Sequence, residues 1–407
     1  MTLLSARPST SIDLFGDAAL HDPYPLYAGL RQLGPAVRLE QLGEVWAISR
    51  YADVQAALAD PGRFSSARVA LTDIANDALA GSVLASDGAD HARLRRVLSP
   101  QLARHAFNGL HGVIRRHADQ LVAEVVQRGR FDAVSDLALP LVGQIITYLA
   151  GLPGRDRDQL VAWAEGVFSA FGPDTRRTRA AFPLAQTMVD YLATSATRER
   201  VRPGSWLAEV YAAADRGEIA EAECIPLASA YLVAGAELTI HAITTLLGLL
   251  ARTPRQWRSL HRRAHDSAFL GAAVREALRY DAPVQWVCRT VTQDTSVSGV
   301  PLSAGSQVLL LYGSANRDDT VWGPTADQFR MRRSGIRRTG TDHLALGHGP
   351  HSCAGGHLAH MKITAVLGAL ARATPTLRLV PSAPPCRQLN NTIRGWVSLP
   401  LTTTPAR

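Results

Sequence analysis

Between residues 91 and 250, apolar side chains return every three or four positions, the period of helices lying against a core. Leu102, Leu110, Val113, Ile114, Leu121 and Val125 fall largely on one helical face. The pattern breaks at Gly129, at Pro140, at 151–154 (Gly-Leu-Pro-Gly), at Gly172-Pro173 and at Pro203-Gly204, which predicts the helix ends. Residues 221–250 are apolar nearly all round, so they predict one long helix through the core. Glu237, His241 and a proline near the start of that run argue against a membrane span. Earlier, 22–33 reads as a helix opened by prolines, 45–48 as a short strand and 51–58 as a helix.

Residues 270–280 predict a helix stopped by Asp281-Ala282-Pro283. The period then changes. Residues 284–291, 295–300 and 307–312 predict strands, with turns at Ser298-Gly299 and Ala304-Gly305. A basic irregular loop spans 330–341, helicity resumes over 358–373, and the tail 377–402 alternates between Pro and Gly turns. The pattern therefore predicts a mainly α fold with a smaller β-rich subregion. No repeat or Gly/Ser-rich linker divides it, so 1–407 is expected to be a single domain with a flexible N-terminus over 1–20.

Composition narrows the classes. The 407 residues carry 43 basic and 35 acidic side chains, a formal charge of +8. Lys362 is the single lysine and every other basic residue counted is arginine, a bias that genome base composition alone produces. The basic clusters are short and interleaved with acids, so no nucleic-acid partner is expected, whereas an acidic protein partner is. Residues 1–12 have no apolar core after a basic start, so neither a signal peptide nor a membrane anchor is expected. The four cysteines (Cys224, Cys288, Cys353, Cys386) are far apart, which fits a reducing cytoplasm better than a disulfide scaffold.

The densest chemistry lies in His343-Leu344-Ala345-Leu346-Gly347-His348-Gly349-Pro350-His351-Ser352-Cys353-Ala354-Gly355. Its glycines allow a flat ligand to approach the backbone around one thiol. A helix is expected directly after Cys353, and its free N–H groups would stabilise a thiolate. Such a thiolate is a nucleophile, a metal ligand or an inert buried thiol.

This stretch resembles the heme-binding loop of cytochromes P450, F-G-x-G-x-H/R-x-C-x-G, with Leu346 in place of the leading Phe. Further segments resemble the family in order and spacing. Glu276-Ala277-Leu278-Arg279 is similar to its E-x-x-R helix, completed by Arg333. Ala234-Gly235-Ala236-Glu237 is similar to the oxygen-side groove of the central helix. His91-Ala92-Arg93-Leu94-Arg95 is similar to the propionate-binding H-x-x-x-R, and Ala315-Asn316-Arg317-Asp318 to a common bacterial signature. The resemblance spans 22–400.

It implies the P450 fold and heme b, with Cys353 as the metal ligand. Gly347 and Gly349 would admit the ring, and His91, Arg95, Arg289, His343 and His351 would bind its propionates. A cysteine thiolate donates electron density that favours O–O cleavage. Glu237 is implied as the catalytic proton donor. Phe168, Phe171, Ala234, Leu238, Val287 and Ile393 are implied to line the substrate pocket. The implied partners are an acidic ferredoxin and its reductase, docking near Arg95, Arg104 and 332–338. No reductase domain is expected in this chain. Glu276 and Arg279, three apart on a helix, are assigned a structural role, a spacing worth little on an exposed face.

Two departures matter. The family follows its groove acid with Thr, but here Leu238 follows Glu237 and cannot relay a proton. Thr239 stands a further 100° round the helix. Three readings stay open: a substrate hydroxyl or ordered water replaces the Thr; the oxidation ends in ring closure or coupling; or turnover is peroxide-driven or impaired.

Second, 167–173, 313–318 and 390–395 resemble bacterial P450s that oxidise para-substituted benzoates. Their Arg-Ser carboxylate anchor is replaced by Ser229-Ala230. A mostly apolar pocket suits a bulky, aromatic secondary metabolite, oxidised by hydroxylation, O-dealkylation or ring closure. Benzoate oxidation is the alternative, and a heme-binding sensor the non-enzyme one.

Overall fold

The computed structural model describes residues 8–333 and 342–404. Arg337 and Arg338, placed above in the partner-docking loop, lie outside the described residues. Helices fill most of the chain, as the 3.6-residue period predicts. Five of them build the site: α1 (Gly88–Leu102), α2 (Arg157–Ser169), α3 (Cys224–Arg252), α4 (Ser267–Tyr280) and α5 (Gly356–Ala373).

α3 is the axis of the molecule. It packs against α2, α4 and α5, and most of its side chains are buried all round it. Among the described residues one helix, Glu221–Arg252, is long and apolar enough to cross a membrane. The protein itself buries 78% of that helix's most apolar stretch, so it serves as a core helix. It stops at Thr253, where Pro254 opens the next helix.

α4 starts at Asp266, whose carboxylate accepts the Phe269 N–H at 2.9 Å, a side-chain N-cap. It ends at Asp281, which leaves helical geometry two residues before Pro283.

The β-rich part is a six-stranded sheet in the order β1-β2-β3-β8-β5-β4. Its strands are β1 (Ser9–Thr10), β2 (Ala36–Leu39), β3 (Val45–Ile48), β4 (Phe64–Ser65), β5 (Val287–Val291) and β8 (Gln307–Leu310). Between β5 and β8 lies a small hairpin, β6 (Thr295–Val297) and β7 (Val300–Leu302), turning at Ser298-Gly299 as the sequence predicts. A second hairpin near the C-terminus, β9 (Cys386–Leu389) and β10 (Arg394–Ser398), carries its tip 390–393 against the end of α2.

Two expectations change. Within the stretch expected to be flexible, β1 pairs with β2, and Leu14 and Phe15 are buried. The predicted strand over 307–312 ends at Leu310, and Tyr312–Ala315 turns into a helix.

The Asn316-Arg317-Asp318 segment ties the layers together. Asn316 accepts the Leu344 N–H at 2.7 Å, Arg317 donates to the Tyr280 carbonyl at 2.7 Å, and Asp318 accepts the Tyr51 N–H at 2.8 Å. Asp281 holds the β9–β10 hairpin through Arg394 at 2.7 Å and Arg387 at 3.4 Å. Burial pushes its carboxyl up, but Arg394, Arg387 and Arg317 more than offset this and hold it at about 2.

Candidate functional site

The loop before α5 wraps around Cys353. Its amide donates to the Leu346 carbonyl at 2.8 Å, which closes the loop on itself. Gly347 and Gly349 both adopt φ +71, the left-handed region. A Cβ on Gly349 would also stand 2.5 Å from the Leu58 carbonyl oxygen, so only glycine fits there.

The helix does not begin directly after Cys353. It starts at Gly356, after a turn, and this turn aims the Gly355 and Gly356 amides at the sulfur. Burial raises the thiol pKa, while these amides and the charges of Arg95 and Lys362 oppose the rise. Cys353 keeps some solvent access, although protein packed around the sulfur desolvates it. Cys224 and Cys288 are buried with thiols pushed up to about 11 and about 12, and Cys386 is exposed on β9.

Four of the five predicted propionate residues share one neighbourhood. The His91 and His351 rings lie 4.0 Å apart, and Arg95 donates to the Ser352 carbonyl at 2.5 Å. Arg289, buried in β5, reaches His91 electrostatically and donates to the Cys288 carbonyl at 2.7 Å. Asp87, 3.4 Å from His351, is the acid that acts on His91. His91 Nε2 is buried with no partner.

His343 is the exception. The turn Leu344–Leu346 reverses the backbone, so His343 stands beside Asp342 under the charges of Arg275 and Arg279. It lines the pocket around Glu276, Arg279 and Arg333, so the structure does not bring it together with the other four.

Burial, then His351, Arg95 and Arg289, lower the His91 pKa from 6.5 to about 4, against the pull of Asp87. Between these values the unfolded chain holds the extra proton. Stability is therefore full above about 6.5 and falls as pH drops towards about 4. In acid denaturation of the cofactor-free protein, His91→Phe is expected to flatten this part of the slope. An unchanged slope would show that His91 is not held neutral.

The residues expected to line a substrate pocket fall on two segments. Ala234 is exposed and Leu238 half-buried, one turn apart on α3, although 230–233 and 239–240 around them are buried. The second segment lies at the end of α2. Phe168 and Phe171 meet edge to face at 5.9 Å, Thr392 bonds the Phe168 carbonyl at 2.9 Å, and Ile393 bridges to Val284, three residues before Val287. Glu237 and Phe168 are buried, as is Ile393.

Sequence reasoning missed three residues here. Lys362, the single lysine, is 1% exposed and donates to the Gly235 carbonyl of α3 at 2.9 Å. Burial lowers its pKa to about 7, against the pull of Cys353. Its isolation in the composition was the available signal. His241 and Gln388 contact Glu237, each at 3.3 Å. His241 sits one helical turn from Glu237, a visible spacing, whereas Gln388 gave no signal.

The Glu276–Arg279 pair is buried, not exposed. Arg333 joins it at 2.8 Å, and Arg279 donates to the carbonyls of Asn316, Ala326 and Gln328. Arg333 is thereby committed to the interior, and Arg95 turns inward to the thiol loop. Of the docking residues named above, Arg104 and Arg332 are the exposed ones among those described.

These donors suit a flat dianionic ring over a thiol: several bases against few acids, an unpartnered buried imidazole nitrogen, and glycines where side chains would collide. That defines a cofactor-binding protein of the cysteine-ligated kind. The family model for cytochrome P450 matches residues 207–373. Cytochrome P450 CYP199A2 of Rhodopseudomonas palustris is 34% identical over 98% of this chain and 95% of its own length. A vitamin D(3) 25-hydroxylase of Pseudonocardia autotrophica is 30% identical over 97% of this chain and 96% of its own. Among solved structures, cytochrome P450 CREJ in complex with (4-ethylphenyl) dihydrogen phosphate superposes with a TM-score of 0.83 at 25% identity, covering 95% and 98% of the two chains. The chain belongs to the cytochrome P450 family. It is an oxidoreductase of the monooxygenase class with the mainly α P450 fold, and its cofactor is heme b held by a cysteine thiolate.

Proposed function

We propose that this protein is a heme-thiolate monooxygenase acting on a bulky, aromatic secondary metabolite by hydroxylation, O-dealkylation or oxidative ring closure. The observation that carries the reading is the Cys353 loop facing the His91, Arg95, Arg289 and His351 group. Cys353 would hold the heme iron through its thiolate, which the Gly355 and Gly356 amides and the Arg95 and Lys362 charges would stabilise. His91, Arg95, Arg289 and His351 would hold the propionates by charge-assisted hydrogen bonds. Bound there, the heme would supply oxidation by dioxygen.

The chain's own residues do the rest. Ala234 and Leu238 would shape the α3 wall, and Phe168, Phe171, Val287 and Ile393 would supply apolar contact. Glu237 would hold a proton for delivery: burial, then the charge of Glu165, push its carboxyl well above the usual range, so it is kept neutral. Electrons would come from an acidic ferredoxin, with Arg104 and Arg332 available on the surface. One relative is named for hydroxylating vitamin D3 and a solved relative holds a para-substituted phenyl phosphate, which supports an apolar, ring-containing substrate.

The test is a spectral titration of the heme protein with para-substituted benzoates and with larger aromatic polyketides. A shift to high-spin iron with the large aromatics alone is expected. A response confined to benzoates would replace this reading with benzoate oxidation. No response and no consumption of reductant with any ligand would favour a heme sensor.

A further inference from the structure

The mechanism above uses Glu237 but not the groups that hold it. Glu237 and His241 stand one turn apart on α3, 3% and 4% exposed. Gln388 reaches them from β9. Its Nε2 lies 3.3 Å from Glu237 Oε1, and His241 Nε2 lies 3.3 Å from the same oxygen. The other carboxyl oxygen, Oε2, is buried with no partner.

The hairpin is shaped for this contact. Gln388 and Gly395 are cross-strand partners in β9 and β10. A Cβ on Gly395 would stand 2.0 Å from His241 Nδ1 and 2.4 Å from its Cγ. The imidazole therefore occupies the space a side chain at 395 would take, and its ring is held between α3 and the strand. Leu238, beside Glu237, carries no transferable proton.

We propose that His241 is a positioning residue: with Gln388 it donates to Glu237 Oε1, and so places the acid proton of Glu237 on Oε2. An oxygen that accepts two donors is a poor site for the carboxyl hydrogen, and the free oxygen takes it. This rests on the reading of Glu237 as proton donor. The charges around the pair agree with it. Glu165 on α2 acts on both groups and Arg387 on β9 acts on His241, while burial holds the imidazole neutral, at about 4. A neutral imidazole donating from Nε2 leaves Nδ1 as a bare acceptor, in accord with its lack of a partner.

Infrared difference spectroscopy of the protein, with and without heme, tests this. The wild type is expected to show the carbonyl stretch of a buried protonated carboxyl group, at low wavenumber because two donors bond its carbonyl oxygen. Glu237→Gln abolishes this band. His241→Phe moves it to higher wavenumber, and Gly395→Ala does the same by displacing the ring without removing any titratable group. His241→Gln, which keeps a donor, restores the position. In turnover, His241→Phe lowers kcat about tenfold with KM little changed, and His241→Gln recovers most of it. A band unmoved in both His241→Phe and Gly395→Ala overturns the proposal, as does a wild type with no such band. If the band behaves as expected but Glu237→Gln turns over normally, the positioning stands and the proton-donor reading fails.

Discussion

Replacing Cys353 with Ser leaves a protein that folds but neither forms a thiolate-type heme spectrum nor oxidises any substrate. The side chain is nearly isosteric, so packing of the 344–353 turn changes little. What is lost is a group able to ionise. The Gly355 and Gly356 amides, with Arg95 and Lys362, favour the anion at 353, yet burial still leaves the free thiol raised above its usual value. The cofactor-free protein therefore carries a protonated thiol at neutral pH, and a metal that coordinates sulfur removes that proton outright. Serine, far less acidic than a thiol, stays a neutral alcohol and a weak ligand. Proton release on heme uptake measures this directly: the wild type releases a proton and Cys353→Ser does not. Absorption of the carbon monoxide complex gives the second readout. Retention of the thiolate-type band in Cys353→Ser would refute the assignment, since Cys386 is exposed on β9 and Cys288 is buried with its thiol pushed up to about 12.

Arg279→Leu is expected to have the largest effect on stability. Arg279 is 1% exposed and donates to both Glu276 oxygens, at 2.8 and 2.9 Å. It also donates to the carbonyls of Asn316, Ala326 and Gln328, at 2.7, 2.8 and 3.1 Å. Its removal strands the Asn316 and Ala326 carbonyls, whereas the Gln328 carbonyl keeps Arg333 and Glu276 keeps Arg333 and the Arg330 amide. Breaking a buried ion pair from one side costs about 3–5 kcal/mol, against a total of about 5–15 kcal/mol for a folded domain. The denaturation midpoint of the cofactor-free protein should fall accordingly, with loss of heme retention in the folded remainder, because Asn316 also fixes Leu344 at the head of the thiol loop. A midpoint within error of the wild type would sink this account. Arg333→Leu, which leaves the Glu276–Arg279 pair intact, should cost less.

The two cases differ in how far they can be read from the chain. Cys353 is legible because its neighbours are local: glycines six and four before it and two after it shape the turn, whatever else the fold does. Glu276 and Arg279 are visible as a pair, but spacing on a helix gives only a weak exposed interaction. Their weight comes from carbonyls 37 to 49 residues further on. His343 parts from the other basic residues for the same reason, since one 3-10 turn sets it beside α4 while the rest of its loop goes to the thiol. Arg95 and Arg333 each carried two expectations, an inward partner and the docking face, and both turn inward.

By itself the sequence determined the helical core, the β-rich subregion and the cytochrome P450 family. Apolar periodicity and glycine punctuation are local, and the motif spacings are read within single elements. Only the tertiary structure decided which face each polar side chain presents. It joined Gln388 and Gly395 to Glu237 and His241 across about 150 residues, and it set the single lysine against the Gly235 carbonyl. Such contacts depend on how strands and helices from distant segments cross. That packing is settled by the whole core at once and leaves no mark at any one position.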